Sequence, residues 1–181
     1  MVKLRSIKLF CNLILTQYLT LKDHLSFGLR QDHAIKLKTP LFQVKHEDNL
    51  IIKAAHLLQQ QYDVAQGVDI AIDKHIPMGA GLGGGSSNAA TTLLALNNLW
   101  RLHLPQHTLM KLGAQLGADV PFFIFGHAAW GEGIGEKLTP MLLPEHWYLL
   151  INPQTPISSG SLFNHPQLSY SQAPTTIEQF N

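Results

Sequence analysis

The sequence contains a single cysteine, Cys11, among 181 residues, so an internal disulfide framework is excluded. So little cysteine fits a reducing compartment. Charged residues are also scarce, at 14% against roughly 25% in an average globular protein. Intrinsic disorder requires high charge and low hydrophobicity, whereas 45% of these residues are hydrophobic. The chain is therefore predicted to fold around a core of its own.

Long hydrophobic runs are absent as well, because no apolar stretch approaches the roughly 18 residues of a membrane span. We therefore predict no membrane partner. Residues 1–8 are basic and precede a moderately apolar segment at 9–21, in the outline of a signal peptide. Polar residues interrupt that segment, however, and no small-residue cleavage site follows it. A cytoplasmic location is predicted, with secretion as the alternative.

Charge is distributed unevenly along the chain. Residues 1–45 carry eight basic and two acidic residues, whereas 46–181 carry five basic and ten acidic residues. A basic segment can indicate nucleic-acid binding, but these side chains are not clustered with aromatics and the sequence pI is only about 8.0. No nucleic-acid partner is predicted. The ten histidines are scattered, and Pro105 interrupts the one helical spacing, His103 and His107, so no metal site is predicted.

Hydrophobic periodicity predicts a mixture of strands and helices without strict alternation, which is typical of an α+β fold rather than a doubly wound one. A helix start is predicted at 46–49, where acidic and Asn side chains can cap free backbone N–H groups. The predicted elements are a hairpin of 25–29 and 34–38, helices over 50–62, 89–100 and 105–116, and strands over 68–73, 120–125, 128–130 and 147–151.

Glycine is concentrated in one place. Five glycines fall within residues 79–85 and are followed at once by Ser86, Ser87 and an apolar helix. Glycine allows a ligand to approach the main chain, and a helix start presents unpaired N–H donors, so the combination suits a phosphate. A flexible surface turn is the alternative interpretation, but a linker would not need two serines leading into a buried helix. The segment predicts a phosphate-binding loop.

Two common phosphate loops do not fit this segment. The Walker loop requires a lysine before its Ser or Thr, and this loop has none. The dinucleotide fingerprint matches Gly79, Gly81 and Gly84, but it requires a carboxylate about 20 residues later. No carboxylate lies between Asp73 and Asp119. A nicotinamide or flavin cofactor is therefore not predicted.

The segment Pro77-Met-Gly-Ala-Gly-Leu-Gly-Gly-Gly-Ser-Ser-Asn-Ala-Ala90 resembles the ATP-binding signature of the GHMP kinases. Within that superfamily, the triple glycine and Leu116-Gly-Ala-Asp-Val-Pro121 resemble the kinases of 4-diphosphocytidyl-2-C-methyl-D-erythritol in non-mevalonate isoprenoid biosynthesis. The segments 46–51, 126–129 and 133–136 support this resemblance. It implies the GHMP-kinase amino-terminal domain, a mixed sheet with helices on one side. The implied division is 1–17 as an atypical amino terminus, 18–151 as the ATP-binding domain, and 152–181 as a linker and the start of a truncated second domain.

The resemblance implies ATP-dependent phosphorylation of the 2-hydroxyl of that erythritol substrate, with Mg²⁺ accompanying ATP. Asp119 matches the family's catalytic aspartate. It lies in an apolar region otherwise free of acid, where desolvation would raise its pKa and make it a better base; a turn-capping role is the alternative. Phe163 falls where the family places an aromatic side chain against cytosine. The implied ATP-binding residues are Asn49, Leu50, Lys74, Pro77, Met78, Gly79, Ala80, Gly81, Leu82, Gly83, Gly84, Gly85, Ser86 and Ser87.

The chain departs from the family pattern at both ends. The Pro-Ala-Lys-(Ile/Leu)-Asn strand and the Asp-Gly-Tyr-His turn, which supply a catalytic lysine and cytidine contacts, are absent. The family's third glycine-rich motif is also absent. Three hypotheses stay open: an active kinase of this substrate, another GHMP kinase such as a homoserine or mevalonate kinase, and a nucleotide-binding fragment without catalysis. The Gly-Ala-Asp-Val-Pro segment disfavours the second, and the missing motifs favour the third.

Overall fold

The computed structural model describes residues 2–5, 13–41, 44–132, 137–144 and 146–152. A short 3-10 turn, His46–Asp48, precedes the first helix. The predicted α+β class is confirmed. In chain order the elements are β1 (Val2–Arg5), β2 (Leu13–Leu19), β3 (His24–Leu29), β4 (Ile35–Leu37), α1 (Leu50–Gln61), β5 (Val68–Asp73), α2 (Gly84–Leu99), α3 (Gln106–Leu116), α4 (Val120–Phe125), β6 (Ala129–Glu132) and β7 (Lys137–Pro140).

The strands divide between two sheets, where the resemblance implied one. An antiparallel four-stranded sheet has the order β1-β2-β6-β7. A mixed three-stranded sheet has the order β3-β5-β4, with β5 antiparallel to β3 and parallel to β4. Helix α1 contacts β4 and helix α2 contacts β3, so the mixed sheet and these two helices enclose one core.

The predicted hairpin of 25–29 and 34–38 is wrong in its pairing. Both strands form, but β5 lies between them and pairs with each. Val68 N–H donates to Ala34 O at 3.0 Å, and Arg30 N–H donates to Gly67 O at 3.0 Å, so β5 occupies the position that a hairpin partner would take. Its side chains alternate between buried and half-exposed positions, which is the pattern of a strand with neighbours on both edges.

Helices α1 and α3 confirm their predictions. Asn49 caps α1, where its side-chain oxygen accepts a hydrogen bond from Ile51 N–H at 2.9 Å. Helix α3 follows Pro105 and ends at Gly117, as predicted. Helix α2 begins at Gly84 rather than at Ala89, because the left-handed Gly83 allows the helix to start inside the glycine run.

Helix α2 is the centre of the core, since it packs against α1, α3 and α4. Small side chains on its first half and on α1 allow the two helices to approach closely, and larger ones fill the space below. Val68 and Ile70 of β5 close the core from the sheet. Its fully buried helical members include Ala54, Ala55, Leu58, Ala89, Leu93 and Leu96.

The predicted strand at 120–125 is instead α4, a six-residue helix. All its residues from Val120 to Ile124 are buried, and a short segment that is apolar on every side gives no periodicity to separate strand from helix. Pro121 lies in the first turn, where its fixed φ suits a helix, and Gly126 ends it with φ 82°. Close packing on α3 depends on Gly113, because a Cβ there would lie 2.8 Å from Ile124 Cδ1.

The predicted strand at 147–151 is also wrong, because these residues have no regular secondary structure. A strand forms only when a neighbour satisfies its backbone, and the described residues provide none there. The strand predicted at 128–130 is confirmed as β6. Phe163, the family segment 133–136 and residues 153–181 lie outside the described residues. Within the described ranges, no helix is long and apolar enough to cross a membrane.

Candidate functional site

An open cavity of about 340 Å³ lies where α1 and α2 begin. It is lined by the predicted loop 77–86 together with Asn49, Leu50 and Lys74, which come from three separate parts of the chain. The fold therefore brings together every predicted nucleotide-binding residue except Ser87. Leu41 and Val44 extend the apolar part of its wall.

The loop is shaped by glycines that adopt a backbone conformation closed to most residues. Gly79, Gly81 and Gly83 have φ values of 69°, 69° and 67°, in the left-handed region. The chain then enters α2, and Ser87 N–H makes the first helical bond, to Gly83 O at 2.9 Å. The N–H groups of Gly84, Gly85 and Ser86 precede that bond and have no partner within the helix. The cavity thus has a rim of backbone donors at the positive end of a 16-residue helix.

Ser86 and Ser87 differ in position. Ser86 is half-buried and lines the cavity, whereas Ser87 is buried, with 6% of its surface exposed. Ser87 O accepts a hydrogen bond from Thr91 Oγ1 at 2.9 Å within α2. Ser86 is therefore the better placed of the two hydroxyls to meet a ligand in this cavity.

The start of α1 forms the opposite wall. Asn49 is buried and uses its side-chain oxygen to cap the helix. Leu50 approaches the loop directly, because a Cβ built on Gly85 would lie 3.6 Å from Leu50 Cδ1. The two helix starts therefore meet across the cavity, one contributing an apolar side chain and the other contributing backbone donors.

Lys74 supplies a positive charge to the cavity wall and is held by a carboxylate that the sequence did not single out. Lys74 Nζ lies 2.9 Å from Asp23 Oδ2 and also donates to Ile76 O. The Asp23 side chain is fully buried. Burial alone would raise its pKa, but hydrogen bonds from Ile76, Lys74, Asn88 and His75 outweigh burial and lower the pKa of Asp23. The site therefore contains an ionised buried carboxylate paired with the lysine.

Sequence reasoning missed Asp23, which no local signal marks, and included Asn88 only as a member of the 77–90 signature, without a role of its own. Asp23 lies in a short connection before β3, and its partners, from Lys74 to Asn88, are 51 to 65 residues away. Asn88 lines the cavity and donates to Asp23 Oδ2 at 2.9 Å. The two residues meet only when distant parts of the chain fold against each other.

Asp119 lies at the N-cap of α4 and is not among the residues that line the cavity. Its side chain makes no capping hydrogen bond to that helix. Gly117 connects this segment with the phosphate loop, because a Cβ there would lie 3.9 Å from Ser86 Oγ. The segment that carries Asp119 thus borders the same end of α2 as the loop.

A protein metal centre is not evident in the described part of the chain, where no three His, Cys, Asp or Glu side chains converge. Phe163 lies outside the described residues, so its predicted place against a cytosine ring stays a prediction.

Comparison with known proteins agrees with this geometry. Residues 49–127, which include both helix starts and the loop, match the family described as GHMP kinases N terminal domain. The chain is 50% identical over 164 residues to a 4-diphosphocytidyl-2-C-methyl-D-erythritol kinase of Methylococcus capsulatus, covering 91% of this chain and 56% of that relative. It thus spans a little over half the length of the curated relatives that it matches.

Solved structures match as well. A crystal structure of 4-(cytidine 5'-diphospho)-2C-methyl-D-erythritol kinase has 39% identity and a TM-score of 0.64, covering 73% of this chain and 46% of that one. A homoserine kinase from Cytophaga hutchinsonii, 15% identical with a TM-score of 0.59, covers 79% of this chain and 51% of that one and shares the fold alone. The loop, the helix starts and these matches agree: residues 49–127 of this chain belong to the family of GHMP kinases N terminal domains.

Proposed function

We propose that this chain binds ATP in the 340 Å³ cavity and belongs to a kinase that phosphorylates the 2-hydroxyl of 4-diphosphocytidyl-2-C-methyl-D-erythritol. The observation that carries the proposal is the convergence of the glycine loop, the start of α1 and Lys74 on one cavity. The substrate comes from the names of the relatives that are about 50% identical. We also propose a cytoplasmic location, where ATP is supplied and a single cysteine stays reduced.

The chemistry of the cavity fits a nucleoside triphosphate. The free N–H groups of Gly84 to Ser86 can donate to phosphate oxygens, and the positive end of α2 favours their charge. Lys74 adds a cation on the same wall. The apolar side chains of Leu41, Val44 and Leu50 on the cavity wall offer a surface for the base. ATP meets a cation, donors and an apolar wall in one cavity.

Mg²⁺ is expected to enter with ATP. This ion usually keeps several waters and uses one or two carboxylates together with substrate phosphates, so it does not require a cluster of protein ligands. The described residues have no such cluster, which fits an ion held chiefly by the nucleotide. Its role would be to neutralise charge on the phosphates during transfer.

Asp119 is proposed as the base that accepts the proton of the substrate hydroxyl. It lies in the segment that borders the phosphate end of α2, which is where an acceptor hydroxyl must come. In phosphoryl transfer most of the catalysis is positioning, so a base fixed at a helix start beside the phosphates is well suited. Phe163 is proposed to contact the cytosine ring.

A second candidate function is nucleotide binding without turnover. The sequence lacks the family motifs that supply a catalytic lysine and the cytidine contacts. ATP binding depends on the cavity alone, whereas transfer also needs those groups. The two candidates therefore differ in turnover and agree on ATP binding.

The test is made in a full-length chimaera in which a relative supplies the amino-terminal motifs and the remaining carboxyl-terminal residues. Asp119→Asn should lower kcat by about 10²- to 10⁴-fold with KM for ATP little changed, because a positioned base acts in the transition state. ADP release, measured in a coupled assay, gives both constants. Asp63→Asn is the matched control, since Asp63 lies on an exposed turn after α1 and should leave both constants unchanged. Full activity of Asp119→Asn would remove this residue from its role.

A further inference from the structure

Asp23 joins three parts of the chain that shape the nucleotide cavity. Its Oδ1 accepts hydrogen bonds from the backbone N–H groups of His75 and Ile76, each at 2.8 Å. Its Oδ2 accepts from Asn88 Nδ2 at 2.9 Å and from Lys74 Nζ at 2.9 Å. A carboxylate has about four acceptor sites, and here each oxygen has two donors. The carboxylate is therefore saturated, and its orientation is fixed.

The donors to Asp23 are themselves parts of the cavity wall. Lys74 and Asn88 both line the cavity, and 75–76 lead directly into the glycine-rich loop. Lys74 Nζ also approaches the start of α2, because a Cβ built on Gly84 would lie 3.4 Å from it. One carboxylate thus sets the distance between the lysine, the entry of the loop and the first turns of the helix.

Two of the three donor positions of the Lys74 ammonium are used, one by Asp23 and one by Ile76 O. With two contacts fixed, the third N–H of the ammonium can point in few directions. Because Lys74 lines the cavity, this N–H is left to face the cavity. A lysine without Asp23 would keep its charge but lose this orientation. Preorganisation of this kind raises affinity because less side-chain freedom is lost when the ligand binds.

We propose that Asp23 is a positioning residue for the nucleotide: it acts through Lys74, by holding the ammonium and the entry of the loop in the geometry that ATP requires. This inference rests on the proposed function, since it assumes that ATP occupies the cavity. It adds a role for a buried carboxylate that contacts the wall of the cavity rather than its interior. The alternative is a purely structural role, in which Asp23 stabilises the fold. Its loss would then change the affinity for ATP equally with or without Lys74.

A double-mutant cycle separates these roles. Asp23→Asn keeps an oxygen for the two backbone N–H groups but turns an amide donor toward Lys74 and Asn88. Affinity for a non-hydrolysable ATP analogue is measured by calorimetry in the 181-residue chain for wild type, Asp23→Asn, Lys74→Met and the double variant. Because a hydrogen bond to a charged group is lost, Asp23→Asn should weaken binding at least about tenfold. In the Lys74→Met background the same substitution should change affinity by less than about twofold.

The control is Asp69→Asn, which removes another paired carboxylate, on β5, that does not line the cavity. It should leave ATP affinity unchanged even where it lowers thermal stability. An equal loss in both Lys74 backgrounds would show a structural role and overturn the proposal. Lack of any effect of Lys74→Met on affinity would overturn it as well. Failure of the folded wild type to bind the analogue would instead refute the proposed function.

A second variant keeps the test decisive if Asp23→Asn does not fold. Asn88→Ala removes one donor to Oδ2 and leaves the carboxylate and its other partners in place. It should weaken analogue binding in the wild-type background and have a smaller effect when Lys74 is Met. An effect of the same size in both backgrounds would mean that Asn88 and Asp23 do not act through the lysine.

Discussion

Single residues of the glycine-rich loop differ in what a side chain would do there. Gly83 has φ 67°, so any larger residue would strain the backbone whether or not a ligand is present. Gly85 has an ordinary helical position, and a Cβ there would make only van der Waals contact with Leu50 at 3.6 Å. Gly85 is therefore the position at which ligand space can be tested without disturbing the fold.

Gly85→Ala should weaken affinity for the ATP analogue at least about tenfold, because the methyl group stands on the cavity wall and would displace phosphate from the N–H donors. Stability should rise slightly, by up to about 1 kcal/mol, since alanine favours a helix over glycine. Calorimetry and urea unfolding measure the two quantities. The matched control is Gly28→Ala on β3, where a Cβ meets nothing within 4 Å. Equal analogue affinity in Gly85→Ala and wild type would contradict the placement of the phosphates.

The glycine-rich loop and Asp23 differ in how far the sequence alone could predict them. The loop 77–86 could be predicted because its chemistry is local, with consecutive glycines followed by a helix start. Asp23 could not be predicted, because its partners are 51 to 65 residues away and nothing adjacent to it marks a site. Contacts of that range are fixed by the fold rather than by a motif.

Among the secondary-structure elements, Tyr18 links the four-stranded sheet to the helical layer. The hydroxyl of Tyr18 on β2 donates to Phe122 O of α4 at 2.8 Å, and its ring stacks on Phe122 with centroids 4.7 Å apart. Burial raises the pKa of Tyr18, so the hydroxyl stays protonated and able to donate. This contact helps to keep the α4 segment, which begins after Asp119, in place.

Tyr18→Phe should lower the free energy of unfolding by about 1 kcal/mol, because the ring contacts remain while one hydrogen bond is lost and Phe122 O is left without it. Urea unfolding followed by circular dichroism gives the value. Tyr62→Phe is the control, since the described residues provide no hydrogen-bond partner for its hydroxyl and the expected change is near zero. Equal effects in the two variants would mean that the Tyr18 hydrogen bond does not stabilise the fold.

The mixed sheet carries an ion-pair network that makes stability depend on acid. Arg30 contacts Asp32 and Asp69, and Lys38 also contacts Asp69. The Arg30 guanidinium lowers the pKa of Asp32 to about 2, and Lys38 and Arg30 lower the pKa of Asp69. A carboxylate whose folded pKa is lowered stabilises the fold above its unfolded pKa, and this contribution is lost as pH falls through the folded pKa.

The free energy of unfolding should therefore decrease as the pH falls from about 4 to about 2, the interval between the ordinary aspartate pKa and that of Asp32. Asp69→Asn should show a shallower decrease over the same interval. High salt should flatten both decreases, because Asp32 and Lys38 are solvent-exposed and their partners are only partly buried. Urea titrations at several pH values measure the slopes. Parallel slopes in the variant and wild type would exclude the network as the cause.

Elements with a clear period could be predicted from the sequence, whereas the type of the 120–125 element and the pairing of β3 and β4 could not. Helix α1 and strand β5 have the expected bounds because apolar residues recur at 3.6 and 2 positions. Residues 120–125 are apolar throughout, so a buried helix and a buried strand have the same pattern. The pairing of β3 and β4 with β5, rather than with each other, depends on packing between strands far apart in sequence.

In the molecule as a whole, the apolar residues after β7 were predicted to form a strand, but they are exposed and have no regular secondary structure. Trp147, Leu149 and Ile151 have more than 80% of their surface exposed, although their composition is that of a buried strand. Strand-like composition produces a strand only when a neighbouring strand pairs with it. The chain also spans little more than half the length of its relatives. The cavity alone therefore does not determine whether the chain turns over substrate.

The 181-residue chain should therefore bind ATP but release ADP far more slowly than the full-length chimaera. The physical reason is that phosphoryl transfer depends on positioning, and the family's lysine and cytidine contacts are absent from the sequence. The coupled ADP-release assay on both proteins, with the erythritol substrate at saturation, measures the difference. Ordinary turnover by the 181-residue chain would show that those motifs are dispensable.

The cavity under the glycine-rich loop is proposed to bind a nucleotide through its phosphates. Calorimetric titration of the 181-residue chain with a non-hydrolysable ATP analogue and, separately, with adenosine measures this binding. We expect saturable one-to-one binding of the analogue and at least about tenfold weaker binding of adenosine, because adenosine has no phosphate to accept from the N–H donors of α2. A folded chain that binds neither ligand, or binds adenosine as tightly as the analogue, would rule out this phosphate site.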